Sequence, residues 1–404
     1  MENTSQTRTG PLTNLRVLDL GTMLAGPVAA TMLADFGADV IKVEQPGSGD
    51  SLRGLGPFID GESLWFQLEG RNKRCVSIDL RKPEGQELLR SLAKHVDVLI
   101  ENFRPGTLDK WGIGYSVLAE VNPRLVMLSI SGFGQTGPNA SRAAYDRIAM
   151  AYSGLMAATG YKDRAPVRTG GSVADYSTAT LGAFSVMMAL YSRDANGGKG
   201  QHIDLALYEA AFRFTDTMAL AYDKLGMVRS RMGNLSPAAA PGNTYETKEG
   251  RYLIITISGD VLFKKLCRAI DRADLLELEK YSTHDLRWKN VDELNDILGQ
   301  WIRARDVEEI SERLTEYGVP FSPVFSVEDI FNDSHYAARD SMLTVEHPKI
   351  GALRMQGIFP KLSATPAGPL RHAHAVGEDN EGVFKELLGL KSDEVADLKQ
   401  QGII

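Results

Sequence analysis

LRVLDLGTMLAGPVAATMLADFGADVIKVE, residues Leu15 to Glu44, decides the fold. Its first seven residues form an apolar run ending in Gly21, the pattern of a buried strand. Helical periodicity follows through GPVAATMLADFGA, with Pro27 near the helix start and Gly37 near its end. Asp39–Glu44 then reads as a second strand, closing on an acid as such strands do in nucleotide-binding folds. Strand, helix and strand make a βαβ unit. GTMLAGP stands where a dinucleotide fingerprint would place GxGxxG, so a standard NAD or FAD site is not expected.

The alternation continues outward. VSIDL, VDVLIEN, RLVMLSISGFG and HIDLAL predict strands, and EGQELLRSLAKH and the apolar stretch ending near Arg193 predict helices. NGGKG, at 196–200, lacks the order of a phosphate-binding loop and predicts a helix-to-strand turn. From Arg229 the chain turns rich in Gly, Pro, Ser and Asn, a linker or active-site loop. YLIITIS and the helices up to about Tyr317 form a smaller unit, and GVPFSPVFSVEDIF marks a return. The expectation is an α/β protein. A discontinuous Rossmann-like large domain takes 12–215 and 325–404, and a smaller α+β domain takes 230–320.

The chain has 404 residues, 43% apolar and 24% charged, with a formal net charge of −7, an ordinary globular composition. No Lys/Arg cluster offers the basic stripe that nucleic acid needs. Two distant cysteines, Cys75 and Cys267, fit a reducing cytoplasm. MENTSQTRTGPL has no apolar core of a signal peptide, and the run Ala183–Tyr191 is too short to cross a bilayer. A cytoplasmic protein without membrane partners is expected. No HExxH or CxxC occurs, and His372 and His374 stand without evident further ligands, so no metal is expected. GxSxG is missing too.

Carboxylates remain. In RTGGSVADYSTA, Ser172 stands three residues before Asp175, the spacing of a capping box. One interpretation is purely structural: Ser172 caps a helix and Asp175 occupies its first turn. The other is chemical. The helix dipole would hold Asp175 ionised, as a nucleophile requires. Gly170 and Gly171 would admit a bulky reactant, and main-chain N–H groups could hold an oxyanion. The residues alone leave both open.

The chain resembles the family III CoA-transferases, the formyl-CoA transferase and CaiB/BaiF-like enzymes. The resemblance runs from about Leu12 to Ile404 through LDLGTMLAGP, ADVIKVEQPGSGD, GRNKR, ENFRPGTLDKWG, SGFGQTGP, GGSVADYSTA, GKGQHIDLALYEA and GVPFSPV. It implies that Asp175 is the nucleophile that carries CoA as an aspartyl thioester. An acyl-CoA donor and a small organic acid are then the substrates, with no permanently bound cofactor. The implied CoA contacts are Met23, Leu24, Ala25, Ile78, Arg81, Asn102, Phe103, Lys110, Trp111, Ser131 and Phe133. Arg53, Arg71 and Arg168 are candidates for a second carboxylate, each equally able to form a structural ion pair. Gln135 and Tyr145 complete the candidate substrate contacts. The family implies an interlocked homodimer.

The chain departs from formyl-CoA transferases at Leu24, where they carry Gln, and at Gln45, where they carry Arg. GNLSPAAAPGN replaces their Gly-rich loop. These departures direct the expectation to donors such as succinyl-CoA or another dicarboxylyl-CoA. Two rivals stand beside it. α-Methylacyl-CoA racemases of the same fold carry His where this chain has Tyr145, so their base is missing. A non-catalytic CoA-binding module would bind without exchange.

Overall fold

The computed structural model describes residues 8–404, which cluster into two compact units. The first comprises the residues up to 156 together with 168–228 and 337–404, and the second comprises 157–167 and 229–336.

The first unit is built on six parallel strands: β1 (Arg16–Asp19), β2 (Asp39–Glu44), β3 (Arg74–Ser77), β4 (Val98–Glu101), β5 (Val126–Ser131) and β6 (His202–Ala206). Their spatial order is β3-β2-β1-β4-β5-β6, the doubly wound arrangement that reverses between β1 and β4. Register and side-chain alternation divide the core into two faces. Val17, Val40, Val98 and Val126 pair across the sheet and join one apolar cluster. Leu18, Ile41, Leu99 and Met127 pair one residue further along and join the other. Both faces are covered, so β2, β4 and β5 are buried throughout, as parallel strands require.

The first face packs against α1 (Ala25–Asp35), while α2 (Pro83–Ala93) lies on the second. A short helix, α3 (Asp146–Tyr152), precedes the long α4 (Val173–Ala195), and α5 (Leu207–Phe212) follows β6. α4 shares the first face with α1. The expected turn is present, with Gly197 at φ 102° and Gly198 at φ 80° stepping from α4 towards β6. Although its most apolar run is short, α4 has 23 residues and is by length and composition long enough to cross a membrane. Here Ala179, Val186 and Leu190 bury it against the sheet.

The second unit holds an antiparallel sheet of β7 (Gly242–Glu246), β8 (Tyr252–Thr256) and β9 (Phe321–Pro323), with β8 central. Three helices, α6 (Asp260–Ala269), α7 (Val291–Arg303) and α8 (Val307–Tyr317), bury Leu266, Leu298 and Leu314 with Leu253 and Ile255 of β8. The chain then returns to the first unit through a hairpin of β10 (Met342–His347) and β11 (Gly351–Gln356). It closes with α9 (Asn380–Leu388) and α10 (Ser392–Gln400), whose Val383, Phe384, Leu387 and Val395 complete the second face.

Candidate active site

Ligands of doubly wound sheets sit outside the carboxyl ends of the strands, where the order reverses. Here that place lies between β1 and β4. The loops after these strands are stitched together: Thr22 donates its N–H to Asn102 Oδ1, and Asn102 Nδ2 donates to the Thr22 carbonyl, each at 2.8 Å. Met23 takes the left-handed region at φ 64°, and its N–H reaches Asp50 Oδ1 at 3.0 Å. Leu24 and Ala25 are buried where α1 begins. The glycines of GTMLAGP serve packing of the chain on itself. A Cβ on Gly21 would stand 2.7 Å from Pro27 Cδ, and one on Gly26 3.2 Å from Gly21 Cα.

A buried charge network supports this loop. Lys42 Nζ donates to the Gly21 carbonyl at 2.7 Å and pairs with Asp50 at 2.8 Å. Lys73 Nζ pairs with Asp19 at 2.8 Å and donates to the Pro27 carbonyl at 2.7 Å. Burial works to lower the Lys42 pKa, but Asp19, Asp50 and Glu44 outweigh it and hold the ammonium above its ordinary range. None of these four charges in contact with the loop was singled out by sequence. For Asp19 and Lys42 the signal is a charge inside an otherwise apolar strand, as in VLDL and DVIKVE, whereas Asp50 and Lys73 lie outside the strands.

The other expected CoA contacts follow the same strand ends. Ile78 is buried directly after β3. Arg81 is exposed and forks onto Asp79 with two contacts of 2.8 Å, which hold that carboxyl down at about 2. After β4, Phe103 meets Trp111 edge-on at 5.5 Å, with Lys110 exposed beside it. Glu101, ending β4, accepts the Phe103 N–H at 2.7 Å, and burial pushes its carboxyl up to about 7. Ser131 ends β5 buried, its Oγ without a partner among the described residues. Phe133 is packed edge-on against Tyr152 at 5.0 Å. The Gln135 N–H is held by Asp204, while its Nε2 is enclosed without an acceptor.

Asp175 belongs to this same edge, and α4 shows why. Near its other end, Arg193 pairs with Asp97 at 3.0 Å, and Gly198 follows against Arg124. Asp97 and Arg124 precede β4 and β5, so the C-terminal end of α4 lies at the amino ends of the strands. A helix of 23 residues extends ~35 Å, whereas a six-residue strand spans ~20 Å. The start of α4 therefore reaches the carboxyl edge.

The cap differs from the expected one. Ser172 occupies the N-cap position, but its side chain makes no capping bond. Asp146, in the first turn of α3, supplies the cap instead: its Oδ1 accepts from Ala174 N at 2.8 Å and from Asp175 N at 3.3 Å. The expectation that the helix dipole keeps Asp175 ionised is likewise corrected. Burial, and secondly the neighbouring Asp146 charge, push the Asp175 carboxyl up to about 7. No cation pairs with it among the described residues. Beside it, Gly170 and Gly171 are exposed, and a Cβ on either would meet nothing within 4 Å. Tyr145, the N-cap residue of α3, is 72% exposed, and Arg168 is exposed and donates to the Thr169 carbonyl at 3.2 Å.

Two candidate arginines are committed elsewhere. Arg53 forks onto Glu44 at 2.8 and 2.7 Å and lies 3.6 Å over the Phe66 ring. Arg71 forks onto Asp35 at 3.1 and 2.6 Å and donates to the Gln356 carbonyl. In both, the Nε and Nη2 edge of the guanidinium is filled by a protein carboxylate. His374, unlike the sequence expectation, does have a carboxylate beside it: its Nδ1 meets Asp379 Oδ2 at 2.7 Å. Among the described residues no group of three or more His, Cys, Asp or Glu could hold a metal.

Comparison with known proteins agrees on one family. The sequence profile of CoA-transferase family III matches residues 12–380. The chain is 40% identical over 401 residues to the succinyl-CoA–D-citramalate CoA-transferase of Chloroflexus aurantiacus, covering 99% of this chain and 100% of that one. It is 39% identical to the beta subunit of succinyl-CoA–L-malate CoA-transferase from the same organism, covering 98% and 99% of the two chains. Among solved structures, a CaiB/BaiF family protein from Brucella suis superposes with a TM-score of 0.83 at 34% identity, covering 94% of this chain and 100% of that one.

Proposed function

Since the chain belongs to CoA-transferase family III, an enzyme family that works on CoA thioesters, we propose that it moves CoA from succinyl-CoA, or a similar dicarboxylyl-CoA, to a small organic acid, with Asp175 as the nucleophile. The two Chloroflexus relatives carry succinyl-CoA in their names, which supports the donor. The observation that carries the mechanism is Asp175 itself: an acid with no paired cation among the described residues, pushed up to about 7, at the carboxyl edge of the sheet beside two open glycines. A carboxylate whose conjugate acid titrates near 7 is, once ionised, more basic than an ordinary one and a correspondingly better nucleophile.

Asp175 attacks the thioester carbonyl carbon of the donor. The C–S bond breaks, CoA thiolate departs, and an acyl–aspartyl anhydride remains. The thiolate then attacks the Asp175 carboxyl carbon and expels the donor acid, leaving the aspartyl-CoA thioester. The acceptor carboxylate repeats both steps in reverse, and Asp175 returns as a carboxylate with no net change in protons. Main-chain N–H groups of Gly170 and Gly171 are the donors for the developing oxyanion, because those of Ala174 and Asp175 are taken by Asp146. Asn102, Phe103, Lys110, Trp111, Ser131 and Phe133 would hold CoA along the strand ends, with Met23, Leu24, Ala25, Ile78 and Arg81. CoA enters as substrate and the chemistry needs no resident cofactor.

The proposal includes a homodimer with interlocked chains. Phe184, Met188 and Tyr191, 50–76% exposed, form one apolar stripe along α4. The helix Met218–Leu225 buries none of its residues, and its Leu220 and Leu225 are 62% and 75% exposed. Such surface is what a second copy would cover. Light scattering should return twice the 44.2 kDa chain mass.

Mass spectrometry tests the nucleophile. After incubation with succinyl-CoA and trapping by hydroxylamine or borohydride, the peptide containing Asp175 should change mass. Exchange that proceeds with Asp175 unmodified overturns the proposal. Rapid α-deuteration of a chiral 2-methylacyl-CoA in heavy water, without an acceptor acid, would favour the racemase.

A further inference from the structure

At the amino end of the sheet, away from Asp175, charges gather where β2 and β3 begin. Asp39, the first residue of β2, takes three guanidiniums: Arg8 on Oδ1, Arg16 on Oδ2 at 2.9 Å, and Arg74 forked across both oxygens at 3.0 and 2.6 Å. Glu386 of α9 binds Arg16 and Arg74 a second time, at 3.0 and 2.6 Å. A cavity of about 1110 Å³ opens beside this cluster, bordered by β10, α9 and residues 370–374. Arg8, Asp39, Arg74 and Arg371 are among its lining residues. The transferase chemistry does not use it.

One of these cations stands apart. Arg371 is fixed by its main chain: its N–H donates to Asn72 Oδ1 at 2.8 Å, and its carbonyl accepts the Asn72 N–H at 3.3 Å. Its half-buried guanidinium has no hydrogen-bond or ion-pair partner among the described residues. Burial, and secondly the like charge of Arg8, push it below its ordinary range, so the two arginines stand near enough to repel each other. A cation drawn out of water without a partner is costly, and this chain gives Glu44 to Arg53 and Asp35 to Arg71. Four guanidiniums, those of Arg8, Arg16, Arg74 and Arg371, thus stand against the two carboxylates of Asp39 and Glu386, leaving two positive charges over. The other lining charges do not cancel them. Lys385 and Glu346 are exposed and opposite in sign, and Asp379 is taken by His374 at 2.7 Å.

We infer that this cavity is a binding site for a phosphate monoester, separate from the catalytic edge of the sheet. The phosphate lies on the guanidiniums of Arg8 and Arg371, and the molecule that carries it fills the remaining space. A phosphate monoester gathers about 1.5–2 negative charges and three acceptor oxygens on one centre near neutral pH. That suits two guanidiniums which repel each other and have donors to spare. A lone carboxylate brings one charge and would leave the second cation unmatched.

Calorimetric titration of the full-length protein with glycerol 3-phosphate, ribose 5-phosphate and glucose 6-phosphate tests the inference, with acetate as the singly charged control. Saturable binding of at least one ester is expected, about tenfold or more tighter than acetate. Arg371→Gln removes the unpaired cation without breaking an ion pair and should weaken that binding by about tenfold or more. Arg8→Gln leaves Asp39 to Arg16 and Arg74 and should weaken it as well, and it decides the matter if Arg371→Gln does not fold. Saturating dephospho-CoA, which has no phosphate monoester, should not displace the ester. Asp175→Asn should bind as the wild type does, so the result stands apart from the fate of the catalytic proposal. Failure of all three esters to bind, displacement by dephospho-CoA, or binding that a folded Arg371→Gln leaves unchanged overturns the inference.

Discussion

Beneath the loop after β1, buried charges meet opposite ones: Lys42 meets Asp50, and Lys73 meets Asp19, in pairs of 2.8 Å. At the start of α4, Asp175 faces a like charge in Asp146, and no cation among the described residues pairs with it. Both regions keep charges out of water, yet they differ in what a proton can do there. Asp79, with Arg81 forked onto it, is held at about 2 and stays a carboxylate. Asp175 is pushed up to about 7, so its charge comes and goes near neutrality. Matched charges hold the loop still, and an unmatched one is left reactive.

Removing the unmatched acid should have the largest effect. Asp175→Asn is expected to lower CoA exchange by a factor on the order of 10³ or more while CoA binding persists, measured by exchange rate and by titration. The same variant should alter stability in the opposite sense. A half-buried acid whose folded pKa lies above its unfolded value favours the protonated form, so stability falls as pH rises from about 4 to about 7. Asp175→Asn should therefore melt higher than the wild type at pH 8 and equally at pH 4. An unchanged difference between those two pH values would show that the Asp175 carboxyl is not raised in the folded protein.

Breaking the matched network comes next. Lys42→Met leaves Asp50 without its cation in the core and should cost about 3–5 kcal/mol in chemical denaturation. A loss below 1 kcal/mol would mean that water reaches the pair. The smallest effect sharpens the comparison from the other side. In the wild type, kcat/KM should rise with pH through about 7 as Asp175 ionises. Asp146→Asn keeps an oxygen to cap α4 but removes the like charge, so this limb should move to lower pH. The movement should be the smaller part of the total shift, because burial is the larger cause. A limb that stays in place would assign the shift to burial alone.

Much of the fold was legible in Leu15–Glu44, because alternating residues of parallel strands bury both faces and leave an apolar run. The cap of α4 was not legible. Ser172 and Asp175 have the spacing of a capping box, but the carboxylate that caps comes from Asp146, 29 residues before Asp175. Local patterns cannot rank a neighbour brought in by tertiary structure. The same holds for Arg53 and Arg71, whose partners Glu44 and Asp35 lie 9 and 36 residues away. Asp175 itself was legible as an acid among glycines, but its unpaired state depends on what packs around it.

The second face of the central sheet is closed by α9, with Val383 and Phe384 fully buried, and by the last residues, where the Ile403 carbonyl accepts the Asp79 N–H at 2.7 Å. Strands β1 to β4 leave the ribosome hundreds of residues earlier than the helix that roofs them. During synthesis α2 can pack on that face of Leu18, Ile41, Val76 and Leu99 early, but the part that Val383 and Phe384 cover waits until α9 has been made. A chain cut before α9 would therefore leave apolar surface of that face uncovered and prone to association, rather than giving a shortened enzyme.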